Sequence, residues 1–511
     1  MMRRQSHPVG ERKSGSNSRV LDTYGGATQV SWAPDAEVTP YGQLVFFVEF
    51  LKTAGLFEKW VEGCPIKYSS NNASANCDIL GTIMLSLLAG HKRYAHMMSI
   101  RSDRVTPKLL GMDSVVSDDT VRRALKVLDA GDSAEWLKSN LSNCVNGLLV
   151  APWVLDIDTT VKPLYGKQEG AVLGYNPQKP GRPSHVYHVY FAGNLRLILE
   201  AEVQAGNRTA STHTQPGLWA YLDKLPPENK PAFIRGDCAF GNENMMREAE
   251  SRKIKYLFKL KQSSNVKRLV SKAFERNEWV DAGKGWEGTE DSILLTGWTK
   301  SRRAIVIRRK LKNDIALSDE RTDRQMQLAF VDAKSPAEKY EYAVLVTSLT
   351  DEVLSVAQHY RDRADIENVF DEMKNQWSWG GFTTQDIARC QLMVRISALV
   401  FNWWSLFAGL AFPDKHAEAI TSRPLLLHSV AQKTRHAGQI RLTITSMHAN
   451  HPKVRKALDA GHQFITLLKS YAEQLSDLQR WQVLLSRIFV RFLGGKILCS
   501  VPPRLRHLLA S

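Results

Sequence analysis

Hydrophobic residues recur at helical spacing in the first part of the chain and alternate with polar residues after Trp153. Between residues 40 and 129, three apolar segments show the three- and four-residue spacing of amphipathic helices. We therefore predict a helical domain over residues 34–150. From Trp153 onwards, alternating β-branched and aromatic residues predict strands instead.

The predicted strands follow one another in an order that indicates a mixed sheet. They cover residues 153–161, 185–193, 195–204, 232–237 and 255–261. A Gly-Asn turn joins the second strand to the third, and helical stretches precede and follow the fourth. This order predicts an α/β fold in which the first and fourth strands are neighbours, so that Asp158 lies beside Asp237.

Residues 262–339 are too many for a loop inside a compact core, and their apolar stretches predict a β-rich insertion. The stretches cover residues 291–298, 302–311 and 324–333. The insertion divides the predicted core into residues 151–261 and 340–412.

Residues 391–412 approach membrane-spanning length, but Arg395 and Asn402 interrupt them. This favours a buried helix over a membrane span. The helical patterns that follow predict a helical C-terminal region over residues 413–511.

The formal net charge of the 511-residue chain is +16, which suits a polyanionic partner. The six cysteines show no paired short spacing, which argues against a disulfide framework or a zinc knuckle. The basic N-terminus lacks the apolar core of a secretory signal, so we interpret residues 1–33 as a flexible basic arm. Such an arm is either a tail without function or a segment that follows phosphates.

The segment that begins at Tyr360 carries four polar residues at offsets of 0, +3, +7 and +14, namely Tyr360, Arg363, Glu367 and Lys374. On one helix these positions share an arc of about 60°. No Pro or Gly occurs before Gly380, so we predict one continuous helix. Such a stripe is either a solvated face with ion pairs, or a site in which an acid holds a divalent metal and two cations bind phosphate.

Metal-dependent phosphoryl transfer needs more than one carboxylate, and two predicted strands supply them. Asp156 and Asp158 share one face of the first strand, and Asp237 ends the fourth. A single Asp at a strand end is more often a turn former or a helix cap. The ordered set of two aspartates and a glutamate is a stronger indication than any one of them.

These blocks resemble the DDE transposases of bacterial insertion sequences. The four-residue stripe matches the YREK signature of that family at every position, and Asp158 with the two threonines after it resembles the first catalytic block. Asp237 with Phe240 resembles the second block, although Ala239 stands where Gly is usual. Residues 174–185 and 236–243 resemble the insertion-sequence families numbered 4 and 1380, and 1380 more closely. The resemblance spans about half of the chain, from residue 151 to 404.

The resemblance implies an RNase H-like catalytic core that performs two-metal phosphoryl transfer. Asp158, Asp237 and Glu367 would be the catalytic residues and the metal ligands, with two Mg²⁺ ions per site, for which Mn²⁺ can substitute. Asp156 is the rival for the first ligand because it shares the strand face.

The implied substrate is double-stranded DNA, namely the terminal inverted repeats of the element and a target site. Arg363 and Lys374 would neutralise phosphate, and Tyr360 would bind the DNA backbone. The implied enzyme cuts and pastes its element as a homodimer, associated with the nucleoid in the bacterial cytoplasm.

A helix-turn-helix is a second candidate for DNA contact. A short helix, a turn at Gly111 and a capped basic helix would present Arg122, Arg123 and Lys126 to a major groove. An ordinary packed helix with a solvated basic side explains the pattern equally well.

Within the insertion, Trp298 is the first candidate for stacking on an extruded base, since Lys300, Arg302 and Arg303 follow it. Trp279 and Trp286 are the other candidates, and a role in the core is the alternative for each.

Two other functions would retain the fold. A domesticated DNA-binding protein would not need all three acids, which are intact here. An RNase H-like nuclease without strand transfer would need neither the insertion nor the helical N-terminal domain.

Overall fold

The computed structural model describes residues 19–311 and 340–510, apart from residues 34, 69–71, 146, 178, 415 and 447–449. Its first elements are the strands β1 (Arg19–Thr23), β2 (Gly26–Val30) and β3 (Val38–Thr39). Strands β1 and β2 pair as an antiparallel hairpin. This hairpin replaces the second part of the predicted flexible arm, and residues 1–18 of that arm lie outside the described residues.

Helices follow, as the spacing of apolar residues predicts. They are α1 (Leu44–Ala54), α2 (Leu56–Glu62), α3 (Asn76–Leu88), α4 (Thr106–Leu109), α5 (Asp118–Lys126) and α6 (Ala130–Val145). Short 3-10 helices cover Tyr94–Ile100 and Leu148–Val150. Almost all of α3 is buried, which makes it the central helix of this region.

The predicted mixed sheet is present. Its strands are β4 (Val154–Pro163), β5 (Ser184–Ala192), β6 (Leu197–Ala205), β7 (Phe233–Gly236) and β8 (Lys255–Lys259), with helices α7 (Ala210–Lys224) and α8 (Glu243–Ser251) between them. The strands lie in the order β6-β5-β4-β7-β8. Strand β4 is antiparallel to β5 and parallel to β7, so the predicted adjacency of the first and fourth strands is confirmed.

The region predicted as a β-rich insertion extends the same sheet. It contains α9 (Ser264–Arg276), β9 (Val280–Gly283), β10 (Trp286–Ile293) and β11 (Arg302–Lys310), and β12 (Tyr340–Thr347) follows. The nine-stranded sheet continues as β8-β12-β11-β10-β9. Periodicity shows that a segment is a strand but does not show its neighbours, and the helix α9 was not predicted. The predicted strand at residues 324–333 lies outside the described residues.

The prediction of one continuous helix from Tyr360 to Lys374 is wrong. Helix α10 (Val353–Arg361) ends before α11 (Ala364–Asn375) begins. At the junction, the amide N–H groups of Arg363, Asp365 and Ile366 bond carbonyls three residues back rather than four. This tighter turn breaks the helix although neither Pro nor Gly occurs there.

The apolar helix α12 (Ile387–Ala411) covers the edge strand β6. It is long and apolar enough to cross a membrane, but 89% of its most apolar 18 residues are buried in the protein, as predicted. Asn402 donates to the carbonyl of Ile198 at 2.8 Å and accepts from its N–H at 2.9 Å. Arg395 pairs with Glu200 on the same strand at 2.7 Å. The polar residues that interrupt the helix therefore bind the open edge of the sheet.

The C-terminal region contains α13 (Ala419–Leu426), β13 (Ala431–His436), β14 (Gln439–Ile444), α14 (His451–Ser470), α15 (Asp477–Ile488) and α16 (Pro503–Ala510). The β13–β14 hairpin departs from the predicted helical region, and it pairs with β3 from the N-terminal part of the chain. Phe50 of α1 contacts both Phe407 of α12 and Trp481 of α15. The two ends of the chain thus share one apolar core around α12.

Candidate active site

Asp158 lies on β4, and Asp237 directly follows the adjacent parallel strand β7. Ile157 of β4 pairs with Gly236 of β7, so the next residue in each segment is one of the two aspartates. Asp237 accepts a hydrogen bond from the N–H of Ala239 at 2.9 Å. The turn after β7 therefore forms with Ala239 in the place where Gly is usual.

Arg363, at the junction of α10 and α11, joins the glutamate to the first aspartate. Its guanidinium donates to Oδ2 of Asp158 and, at 2.8 Å, to Oε1 of Glu367. The side chain of Arg363 is 10% exposed, whereas that of Glu367 is 53% exposed. One cation thus bridges two of the three predicted ligands, one buried and one open to solvent.

The pKa of Asp158 depends on the charges of Arg363, Asp237 and Glu367, which lie close to it. Burial raises the pKa of Asp158 to about 7, the positive charge of Arg363 opposes the rise, and the negative charges of Asp237 and Glu367 add to it. A carboxyl group in this position resists ionisation unless cations are close. The three acids are therefore near enough to influence one another.

The donor set suits a divalent metal ion, although the described residues contain no group of three His, Cys, Asp or Glu placed to hold one. Oxygen ligands from carboxylates are those that Mg²⁺ and Mn²⁺ prefer. Asp158 and Glu367 already bind one cation, namely the guanidinium of Arg363. Its Nε is buried and has no hydrogen-bond partner in the described part of the chain.

Tyr360 lies in the last turn of α10, near these residues. Burial raises the pKa of its hydroxyl well above the ordinary value, and the negative charge of Asp237 adds to the rise while Arg363 opposes it. Lys374 lies on α11, seven residues beyond Glu367 and half-buried. The helix break thus divides the predicted stripe, with Tyr360 on one helix and Glu367 and Lys374 on the next.

Asp156, the rival ligand, is fully buried and engaged elsewhere. Arg235 of β7 binds it through two bonds, of 2.5 Å from Nε and 2.7 Å from a terminal nitrogen. Arg235 also donates to the carbonyl of His359 on α10. Sequence reasoning missed Arg235, although an arginine within an apolar strand signals a buried acidic partner.

The predicted helix-turn-helix is present only in part. Ser117 caps α5 by accepting from the N–H of Thr120 at 3.2 Å, and Arg122, Arg123 and Lys126 are exposed. Residues 110–117 separate α4 from α5, and these eight residues exceed the usual three- or four-residue turn. Arg122 pairs with Asp118 at 3.5 Å, and its guanidinium lies over the ring of Tyr94.

Each candidate tryptophan of the predicted insertion is half-buried and lies under an arginine. The distances from guanidinium carbon to ring centre are 3.9 Å for Arg308 over Trp279, 4.9 Å for Arg309 over Trp286 and 5.2 Å for Arg302 over Trp298.

The cations that follow Trp298 are engaged with protein partners. Arg302 bonds Glu243 at 2.6 Å and Glu250 at 2.9 Å, and Lys300 also pairs with Glu250. Arg303 pairs with Glu290. These three cations stabilise the contact of the loop with α8 and the sheet.

Comparison with known proteins gives a family assignment. The family model described as the transposase DDE domain group 1 matches residues 36–464, which are 429 of the 511 residues. The cryo-EM structure of the piggyBac transposase synaptic complex with hairpin DNA is similar over 92% of each chain, at 11% sequence identity and a TM-score of 0.38. No curated protein matches this chain. The family match covers most of the chain, which therefore belongs to the DDE-domain transposases of group 1.

Proposed function

We propose that this DDE transposase binds the ends of its own bacterial insertion sequence, cuts them and joins them to target DNA. The observation that carries the proposal is the convergence of Asp158 and Glu367 on Arg363, beside the strand end that holds Asp237. The YREK spacing supports an insertion-sequence enzyme with an RNase H-like core, more similar to the family numbered 1380 than to the family numbered 4. We further propose a homodimer that acts at the nucleoid.

Asp158, Asp237 and Glu367 would hold two Mg²⁺ ions, for which Mn²⁺ can substitute. Bound metal would activate water or a 3′-hydroxyl and stabilise the leaving oxygen. Arg363 and Lys374 would neutralise the phosphate next to the cut. A tyrosine hydroxyl keeps its proton at neutral pH, and burial raises the pKa of Tyr360 further, so this hydroxyl would donate to a phosphate oxygen.

The test uses a supercoiled plasmid that carries the gene with its flanking DNA, incubated with the protein and Mg²⁺. We expect Glu367→Gln to abolish cleavage at the element ends and to keep DNA binding. Asp371→Asn is the matched control, since Asp371 is an exposed acid one turn further along α11. Cleavage by Glu367→Gln at the wild-type rate would overturn the assignment.

The same assay separates the two alternatives. A nuclease without strand transfer would cut the ends but would not join them to a second plasmid. A domesticated DNA-binding protein would retain end binding and would cut neither end.

A further inference from the structure

The β13–β14 hairpin has two chemically different faces. On one face, Ala431 and Lys433 are buried, and their cross-strand partners Ile444 and Leu442 are half-buried. Lys433 pairs with Glu37 at 2.5 Å, which ties this face to the segment that leads into β3. The hairpin is therefore fixed to the protein through one side only.

The opposite face carries only polar side chains, which are able to form hydrogen bonds. It consists of three cross-strand pairs, namely Gln432 with Thr443, Thr434 with Arg441, and His436 with Gln439. All six residues are exposed. In the described part of the chain, no hydrogen bond or ion pair involves any of these six side chains. Glutamine, arginine, threonine and histidine are residues that can bind base edges, and no carboxylate interrupts them.

The surrounding sequence is strongly basic. Residues 419–458 contain no Asp or Glu and seven Lys or Arg, at positions 423, 433, 435, 441, 453, 455 and 456. Lys453, Arg455 and Lys456 are exposed on the first turns of α14, which begins seven residues after β14 ends. Arg423 and Lys433 are buried, whereas the other five cations are exposed, and a surface with this charge attracts a polyanion.

We propose that the polar face of this hairpin reads base edges in the major groove of the element-end duplex, while the start of α14 binds the adjoining phosphates. A major groove admits a two-stranded ribbon, and six-residue strands span about 20 Å, or roughly six base pairs. Arg441 is suited to guanine, and Gln432 and Gln439 are suited to adenine. The inference rests on the proposed function and names the residues that give it sequence specificity.

Helix α5, which exposes Arg122, Arg123 and Lys126, is less suited to bind base edges. Its first turn carries Asp118 and Asp119, and Asp118 already pairs with Arg122. The phosphate backbone repels carboxylates at such a position.

The test uses a library of random 30-base-pair duplexes in EDTA, so that binding is measured without cleavage. We expect wild-type protein to select one sequence. Arg441→Ala should bind the selected duplex about 5- to 150-fold more weakly and bind an unrelated duplex almost as the wild type does. Protection of a guanine N7 from dimethyl sulfate should disappear in the same variant. Arg268→Ala, which removes an exposed cation on α9, should keep both selection and protection.

The outcomes separate the inference from the proposed function. If wild type selects a sequence and Arg441→Ala and Gln439→Ala both retain the wild-type affinity and protection, the hairpin does not read DNA, while end recognition stands. If the wild type selects no sequence, the proposal that the β13–β14 hairpin binds base edges is overturned, and the cleavage assay alone decides the proposed function. Both side chains are exposed, and an unchanged thermal unfolding temperature would show that the variants are folded.

Discussion

The guanidinium of Arg363 hydrogen-bonds Oδ2 of Asp158, a residue 205 positions earlier in the chain. The same guanidinium bonds Glu367 at 2.8 Å. A positive charge from the protein itself therefore stabilises two carboxylates that are proposed to hold a divalent cation. Because Asp158 is buried, it needs such a charge in order to ionise.

Replacing Arg363 should make the protein depend on metal for part of its stability. Arg363→Ala leaves Asp158 buried without its cation, and we expect the free energy of unfolding in EDTA to fall by about 1–3 kcal/mol. Added Mg²⁺ should restore more stability to the variant than to the wild type, because it replaces the missing charge. Urea unfolding with and without Mg²⁺ measures both effects.

Arg363→Lys is the control, since it keeps a charge but lacks the fork that reaches two carboxylates. The free energy of unfolding of Arg363→Lys in EDTA, and its increase on addition of Mg²⁺, should lie between those of the wild type and Arg363→Ala. Equal stabilisation of all three proteins by Mg²⁺ would show that Arg363 and the metal do not share these ligands.

The affinity for Mg²⁺ should increase with pH up to about pH 7, where Asp158 loses its proton. Below that pKa the proton competes with the metal, by about tenfold per pH unit for one proton. In metal-free protein, the raised pKa means that the folded state holds a proton that the unfolded state releases. Asp158 alone therefore lowers stability as the pH rises from about 4 to 7.

Calorimetric titration with Mg²⁺ at pH 6, 7 and 8 measures this dependence. Asp158→Asn should bind weakly at each pH and lose the dependence on pH. A wild-type affinity that is flat across this range would contradict the assignment of Asp158 as a ligand.

The order of the central strands could be predicted because each strand has a clear period and short connections limit the pairing. The neighbouring positions of Asp158 and Asp237 followed from that order. The break between Tyr360 and Glu367 could not be predicted, since a change from four-residue to three-residue hydrogen bonds depends on packing and not on a breaker residue.

The C-terminal hairpin did leave a signal in the sequence. Residues 431–444 alternate around Ala437 and Gly438, which adopt positive φ angles of 49° and 80°. An Ala-Gly turn is weaker than Asn-Gly, and the helical patterns on either side outweighed it. The pairing of this hairpin with β3 joins residues about 390 positions apart, which no local pattern can show.

Asp156 and Asp158 should respond differently to the same substitution. Asp156→Asn leaves Arg235 buried without a charge partner, so we expect a loss of about 3–5 kcal/mol in stability and a partial loss of cleavage that follows the unfolded fraction. Asp158→Asn should remain folded and fail to cut. Cleavage assays paired with urea unfolding distinguish the two, and the reverse order would transfer the ligand role to Asp156.

The role predicted for Trp298 can be tested by separating two steps of DNA processing. Nicking needs only phosphate placement and the carboxylates, whereas closing a hairpin at the cut end needs an extruded base held by stacking. The Trp298→Ala variant should therefore nick the first DNA strand at close to the wild-type rate and form DNA hairpins poorly. Denaturing gels of end-labelled DNA resolve the two products.

The structure adds a condition and two controls to this test. Arg302 lies over the ring of Trp298, so a base can stack only on a face that the guanidinium leaves open. Arg302 is held by Glu243 and Glu250 and should keep its place when the ring is removed. Trp279→Ala and Trp286→Ala leave the ring of Trp298 in place, so they should form DNA hairpins like the wild type. If all three variants form hairpins like wild type, or wild type forms none, these tryptophans serve packing alone.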